Sequence, residues 1–228
     1  MIPVAVPTAA GPAARAAEGR PISVTLASWK EMWRELGAAQ PDEAVFRRLV
    51  ACWSEPHRHY HTLQHLRECL DHLAAARDLA RHPAEVELAL WFHDAFYDVH
   101  RHDNEARSAN WAREAVLTAG IPDDVSRRVH ALVMATCHRE TPQEPDAQVL
   151  VDVDLAILGA DRERFDESDA QIRREFAHVP EADFRVGRRQ VLRGFLARPR
   201  LYCTDRFAAT FERPARENIA RALRRLED

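Results

Sequence analysis

In the stretch Trp91 to Asp98, WFHDAFYD, a histidine and an aspartate stand side by side as His93 and Asp94 inside a run that is otherwise apolar and aromatic. Unpaired in an apolar helix, such groups cost several kcal/mol, and a metal cation is the partner that suits both an imidazole and a carboxylate. Upstream, PHRHYHTLQHL carries His57, His59, His61 and His65. His61 and His65 are four apart, so on one helix they share a face and can address one site; His57 and His59 read as solvated surface groups. The zinc-protease pattern HExxH has the same spacing but needs a glutamate after the first histidine, and Thr62 stands there, which argues against a metalloprotease. Downstream, LVDVDLAIL offers two carboxylates. On a helix Asp154 shares its face with Leu150, Val151, Ile157 and Leu158, whereas Asp152 lies about 200° away and is easier to leave in water. A carboxylate on a greasy stripe needs a cation beside it, either a metal ion or a buried arginine.

The elements that must position these residues read as helices. Helical spacing of apolar residues runs from Ser28, the expected cap, to Gly37 and from Pro41 to Trp53. It resumes over Thr62–Ala80, Pro83–Tyr97, Asn104–Ala119, Pro122–His138, Ala147–Leu158, Arg162–His178, Phe184–Ala197 and Thr204–Leu226. No alternating β pattern of useful length and no repeat occurs, so the expected fold class is all-α. Residues 1–24, broken by Pro3, Pro7 and Pro12 and lacking a basic start, read as a disordered tail and not a signal peptide; residues 25–228 read as a single domain.

Composition narrows the function classes. The 228 residues are 46% hydrophobic, ordinary for a globular domain with a core, and the formal charge of -4 gives no reason to expect a nucleic acid polymer or an anionic membrane as partner. Lys30 is the only lysine, and the arginine excess fits a coding bias as well as a need for bidentate phosphate ligands. Cys52, Cys69, Cys137 and Cys203 form no CxxC pair, so neither a disulfide framework nor a zinc ribbon is expected and a reducing cytoplasm is the natural location.

The ordered set His65, then His93 and Asp94, then Asp154, separated by helices, resembles the H…HD…D signature of the HD superfamily of metal-dependent phosphohydrolases. Tyr60, His61 and His65 match the YHxxxH segment of cyclic-nucleotide phosphodiesterases. RHYHTLQHL, ALWFHDAFYD, NEARSA and DLAILGA together are similar to a bacterial group of predicted HD-superfamily phosphohydrolases, a likeness that extends from Trp29 to the C-terminus.

The resemblance implies an HD-domain helical bundle in which His65, His93, Asp94 and Asp154 converge on one divalent ion. Mixed nitrogen and oxygen ligands suit Mn, Fe, Co, Ni or Zn, with Mg also possible, better than Ca. It assigns His61 as the acid for the leaving oxygen. In alarmone-hydrolysing relatives the dipeptide extends to HDxxED; the matching positions here are Tyr97 and Asp98, so only the second acid is present, which leaves Asp98 to orient or deprotonate the attacking water and argues against alarmone hydrolysis. Asn104 and Glu105 could bind substrate or a metal water, although Asn104 also fits a helix cap. Arg58, Arg173 and Arg188 are phosphate-clamp candidates. His138 reads either as a ligand to a second metal or as a histidine favoured by a helix C-terminus.

The expected function is therefore hydrolysis of a small phosphate ester or anhydride, a nucleotide foremost. Two other classes stand beside it. An HD-fold di-iron oxygenase would need further histidines, and His100, His102, His130 and His138 lie in the required interval. A metal-binding regulatory module without catalysis would leave His61 and Asp98 without a task. The sequence specifies neither substrate identity nor oligomeric state.

Overall fold

The first helix begins earlier than its apolar spacing suggests, because Thr25 and not Ser28 is the cap: Thr25 Oγ1 accepts the Ser28 backbone N–H at 3.2 Å. Helix α1 then spans Leu26–Glu35, and α2, Glu43–Cys52, is opened by Asp42, whose Oδ1 accepts the Ala44 and Val45 N–H groups. The computed structural model describes residues 22–227. The expected disordered tail, 1–24, lies outside that range except for its last three residues, of which Ile22 is buried in the core.

The remaining helices are α3 (Leu63–Ala76), α4 (Pro83–Phe92), α5 (Asn104–Thr118), α6 (Asp123–Ala135), α7 (Pro145–Asp154), α8 (Arg162–Glu175), α9 (Glu181–Leu196) and α10 (Asp205–Glu227), with short 3₁₀ turns at Arg77–Leu79 and Leu155–Gly159. Every regular element among the described residues is helical. None of them is long and apolar enough to cross a membrane.

Helix α4 is the axis of the packing. Ala84 to Phe92 are all buried, as expected for a helix apolar on every side, and α1, α3, α5, α6 and α7 all pack on it. Trp29, Trp33 and Trp91 stack edge-on along one flank, and the Trp53 indole N–H donates to the Trp91 carbonyl at 3.0 Å. Two acids on this helix are buried, and Glu85 is met by a bidentate contact from Arg128 at 2.7 and 2.8 Å.

Several helices stop short of their sequence expectation, α3, α6 and α8 among them, and two of the stops matter for the site. Helix α4 ends at Phe92 and not at Tyr97, because the Arg58 guanidinium takes the Asp94 and Ala95 carbonyls at 2.6 and 3.1 Å. Those carbonyls then need no helical partner. Helix α7 ends at Asp154, and the 3₁₀ turn that follows lies against α10 so closely that a Cβ on Gly159 would stand 2.6 Å from Phe211 Cβ and 2.7 Å from its carbonyl oxygen.

Candidate metal centre

Helix ends bring the chemistry together. His65 lies in the first turn of α3, which is capped by the Thr62 hydroxyl; His93 and Asp94 follow α4 directly; Asp154 is the last residue of α7. His65 Nε2 and His93 Nε2 are 3.2 Å apart, and Asp154 Oδ1 is 3.2 Å from the first and 3.6 Å from the second. Asp94 Oδ2 stands 3.0 Å from His93 Nε2 and 4.0 Å from His65 Nε2. Both imidazoles are buried.

This donor set fits a cation. His93 Nδ1–H donates to the Leu90 carbonyl at 2.8 Å, so the neutral ring carries its lone pair on Nε2, facing the other ligands. Burial opposes a charge on His93, yet the Asp94 and Asp154 carboxylates outweigh it and push the imidazole up to about 9. Burial likewise opposes ionisation of Asp94 and Asp154, but the neighbouring histidines hold both carboxyls below the usual carboxylate range. The pocket thus stabilises positive charge at the point where the nitrogens and oxygens converge. His65, His93 and Asp154 form a group that can hold a metal ion, their ligand atoms lying within 4.8 Å of one another.

The centre opens into a cavity of about 320 Å³. His61 is on its wall, and Glu175 of α8 organises that histidine. Glu175 Oε1 accepts the backbone N–H groups of His59, Tyr60 and His61 at 2.7 to 2.9 Å, and Oε2 accepts His61 Nδ1–H and the Tyr97 hydroxyl, each at 2.8 Å. Tyr97 also stacks on the His61 ring, with centroids 4.1 Å apart. His61 Nε2 has no protein partner among the described residues, so this nitrogen is the one available for proton transfer. Burial alone would raise the Glu175 carboxyl; its bonds to His61 and the backbone N–H groups more than offset that and hold it at about 2.

His138, three residues beyond α6, also reaches the centre. It adopts a positive φ of 51°, and its Nε2–H donates to Asp154 Oδ2 at 3.0 Å, while its buried Nδ1 has no hydrogen-bond partner. The α6 C-terminus reading therefore misses where the side chain goes.

The other sequence-selected residues divide sharply. Arg188, Asn104 and Glu105 line the metal cavity. Arg188 is steadied by Asp169 at 3.0 Å, and the Asn104 amide is committed to the backbone N–H and C=O of Asp98. Arg58 is a buried brace on the carbonyls of Asp94 and Ala95, with Glu55 as its ion partner at 2.9 Å. Arg173 sits against Glu181 and the Phe176 and Val179 carbonyls beyond α8. Neither of these two arginines lines the cavity. Asp98 accepts the His100 N–H at 2.9 Å and lines a neighbouring groove instead.

Asp152 corrects an expectation. It is not left in water but fully buried, where its two oxygens accept the Cys203 and Thr204 N–H groups at 2.6 and 2.7 Å. The face argument separates Asp152 from Asp154 but does not see the segment entering α10 arrive on the opposite side. Glu175 was not legible at all: it stands in the charged run QIRRE, more than a hundred residues from His61.

No protein-family model, curated protein or solved structure matches the chain. The geometry of the site therefore carries the functional reading.

Proposed function

We propose that this protein is an HD-type phosphohydrolase that removes phosphate from a small phosphorylated metabolite, a nucleotide foremost, with a divalent transition metal at His65, His93, Asp94 and Asp154. The observation that carries the reading is the convergence of those buried imidazole nitrogens and half-buried carboxylates on a cavity that also holds His61 and Arg188. When bound, the ion supplies Lewis-acid charge for a phosphoryl oxygen and acidifies a water.

The chain's own residues do the rest. Arg188, pinned by Asp169, offers the guanidinium for phosphoryl oxygens. His61 holds a proton at Nε2 for the leaving oxygen, and Glu175 keeps the ring oriented by taking Nδ1–H. Ile157, Leu158, Phe165 and Phe195 form an apolar wall that excludes water and receives the remainder of the substrate. Asp98 has no part in this scheme.

A second reading, two-iron oxygenation, draws support from one observation: His138 reaches Asp154 with a nitrogen left free, and Glu105 is on the same wall. Metal content and phosphate release under anaerobic conditions separate the two. Protein loaded with manganese or cobalt should release phosphate from nucleoside monophosphates or related metabolites without oxygen. His61→Ala should keep its metal and lose about two to four powers of ten in turnover. Two irons per chain, oxygen consumption on an unphosphorylated substrate and no phosphate release would favour the oxygenase and end the hydrolase reading.

A further inference from the structure

Two guanidiniums bracket an aromatic pair beside the metal cavity. Arg48 lies 4.2 Å over the Trp111 ring and Arg107 lies 4.2 Å over Phe96, and the two rings are 5.6 Å apart. Both arginines, together with Arg174, line a groove of about 850 Å³. None of the three has a carboxylate within ion-pair distance or a side-chain hydrogen bond among the described residues, in a protein where Arg47, Arg113, Arg164 and Arg221 each meet an acid. The acids that share the groove are already engaged. Glu55 pairs with Arg58, Asp98 accepts the His100 N–H, and Glu175 holds His61 and the backbone beside it. None of these acids comes within ion-pair distance of the three guanidiniums, and Asp103, which attracts Arg107 through space, is already bonded to Arg101.

We propose that this groove binds a small oligophosphate anion at a site separate from the metal centre. Contact with the rings restrains Arg48 and Arg107 while leaving their N–H forks free, so contacts to phosphate oxygens form with less further loss of side-chain freedom. One phosphate group occupies one or two forks; three forks around a single groove call for a ligand with several. The volume suits a small molecule, and the chain's net charge of -4 works against a nucleic acid polymer running beyond the groove. The two sites do not share their cations: Arg188 lines the metal cavity and not the groove, and Arg48, Arg107 and Arg174 line the groove and not the metal cavity.

Calorimetric titration of the full chain with inorganic tripolyphosphate, in buffer without added divalent ions, tests this. Saturable one-to-one binding is expected, weakened about tenfold or more by Arg107→Ala and by the Arg48→Gln, Arg174→Gln pair, since each removes hydrogen bonds to a charged group. The second set touches only exposed side chains, so it remains informative should Arg107→Ala fold poorly. Asp154→Ala and Arg188→Ala should bind as the unaltered protein does, and orthophosphate should bind at least about tenfold more weakly than tripolyphosphate. Absence of saturable binding, equal affinity for orthophosphate, unchanged affinity in the groove variants, or loss confined to Asp154→Ala or Arg188→Ala each overturns the proposal.

Discussion

Asp152 and Asp154 are two residues apart, the first buried and the second half-buried, and their tasks differ completely. Asp154 faces histidines, and Asp152 anchors the chain entering α10 by accepting two backbone N–H groups. Asp152→Ala strands those donors, so a loss of about 1 to 3 kcal/mol in unfolding free energy is expected. Metal content per folded chain should stay normal in that variant and fall in Asp154→Ala. Equal metal loss in the two would show that the division of labour is wrong. Glu175 gives a pH signature. Its folded carboxyl lies at about 2 against an ordinary 4.5, so its ionised form stabilises the native state above about pH 4.5, and that contribution is lost as the pH falls toward 2. The shift corresponds to roughly 3 kcal/mol. Glu175→Gln should therefore be less stable than the unaltered protein near neutrality, and the gap should narrow on acidification from pH 5 to pH 3. Denaturant unfolding at the two pH values measures it; a constant gap would mean that the carboxylate's charge is not what the His61 network uses.

At the scale of elements, ligand positions depend on where helices stop. The α7 terminus is set by the 3₁₀ turn Leu155–Gly159, which presses on α10 through the bare Cα of Gly159. The added methyl of Gly159→Ala meets backbone and Cβ of Phe211, not the flexible end of a side chain, so α10 or the turn must shift. Overpacking of this kind costs about 1 to 3 kcal/mol. A lower thermal midpoint is the expected outcome, accompanied by weaker metal retention because Asp154 immediately precedes the turn. An unchanged midpoint would mean that the two elements part without cost.

For the whole molecule, an ion at the centre links folding to ligand concentration. The site draws on α3, α4 and α7, all of which unfolding separates, so a metal that binds only the folded chain should stabilise it by about 3 kcal/mol at a hundred times its dissociation constant. Manganese or cobalt should raise the thermal midpoint of the chelator-treated protein and leave that of Asp154→Ala unmoved. An equal rise in both would place the stabilising ion elsewhere.

Local chemistry made much of this protein legible in the sequence. Helical spacing specified an all-α chain and put His61 and His65 on one face, and the cost of burying polar groups singled out His93, Asp94 and Asp154 before any contact was known. Those signals are local, because they depend on a residue's neighbours within a few turns. What remained hidden depends on chain segments distant in sequence. Arg58 ends α4 from the loop before α3, the segment entering α10 holds Asp152, Glu175 reaches His61 across more than a hundred residues, and the Arg48 and Arg107 guanidiniums lie over rings on other segments. A carboxylate in a charged helical run looks the same whether it faces water or a buried imidazole. Only the packing of α8 against the loop before α3 decides which it meets, and a polar group's partner fixes whether it serves structure or chemistry.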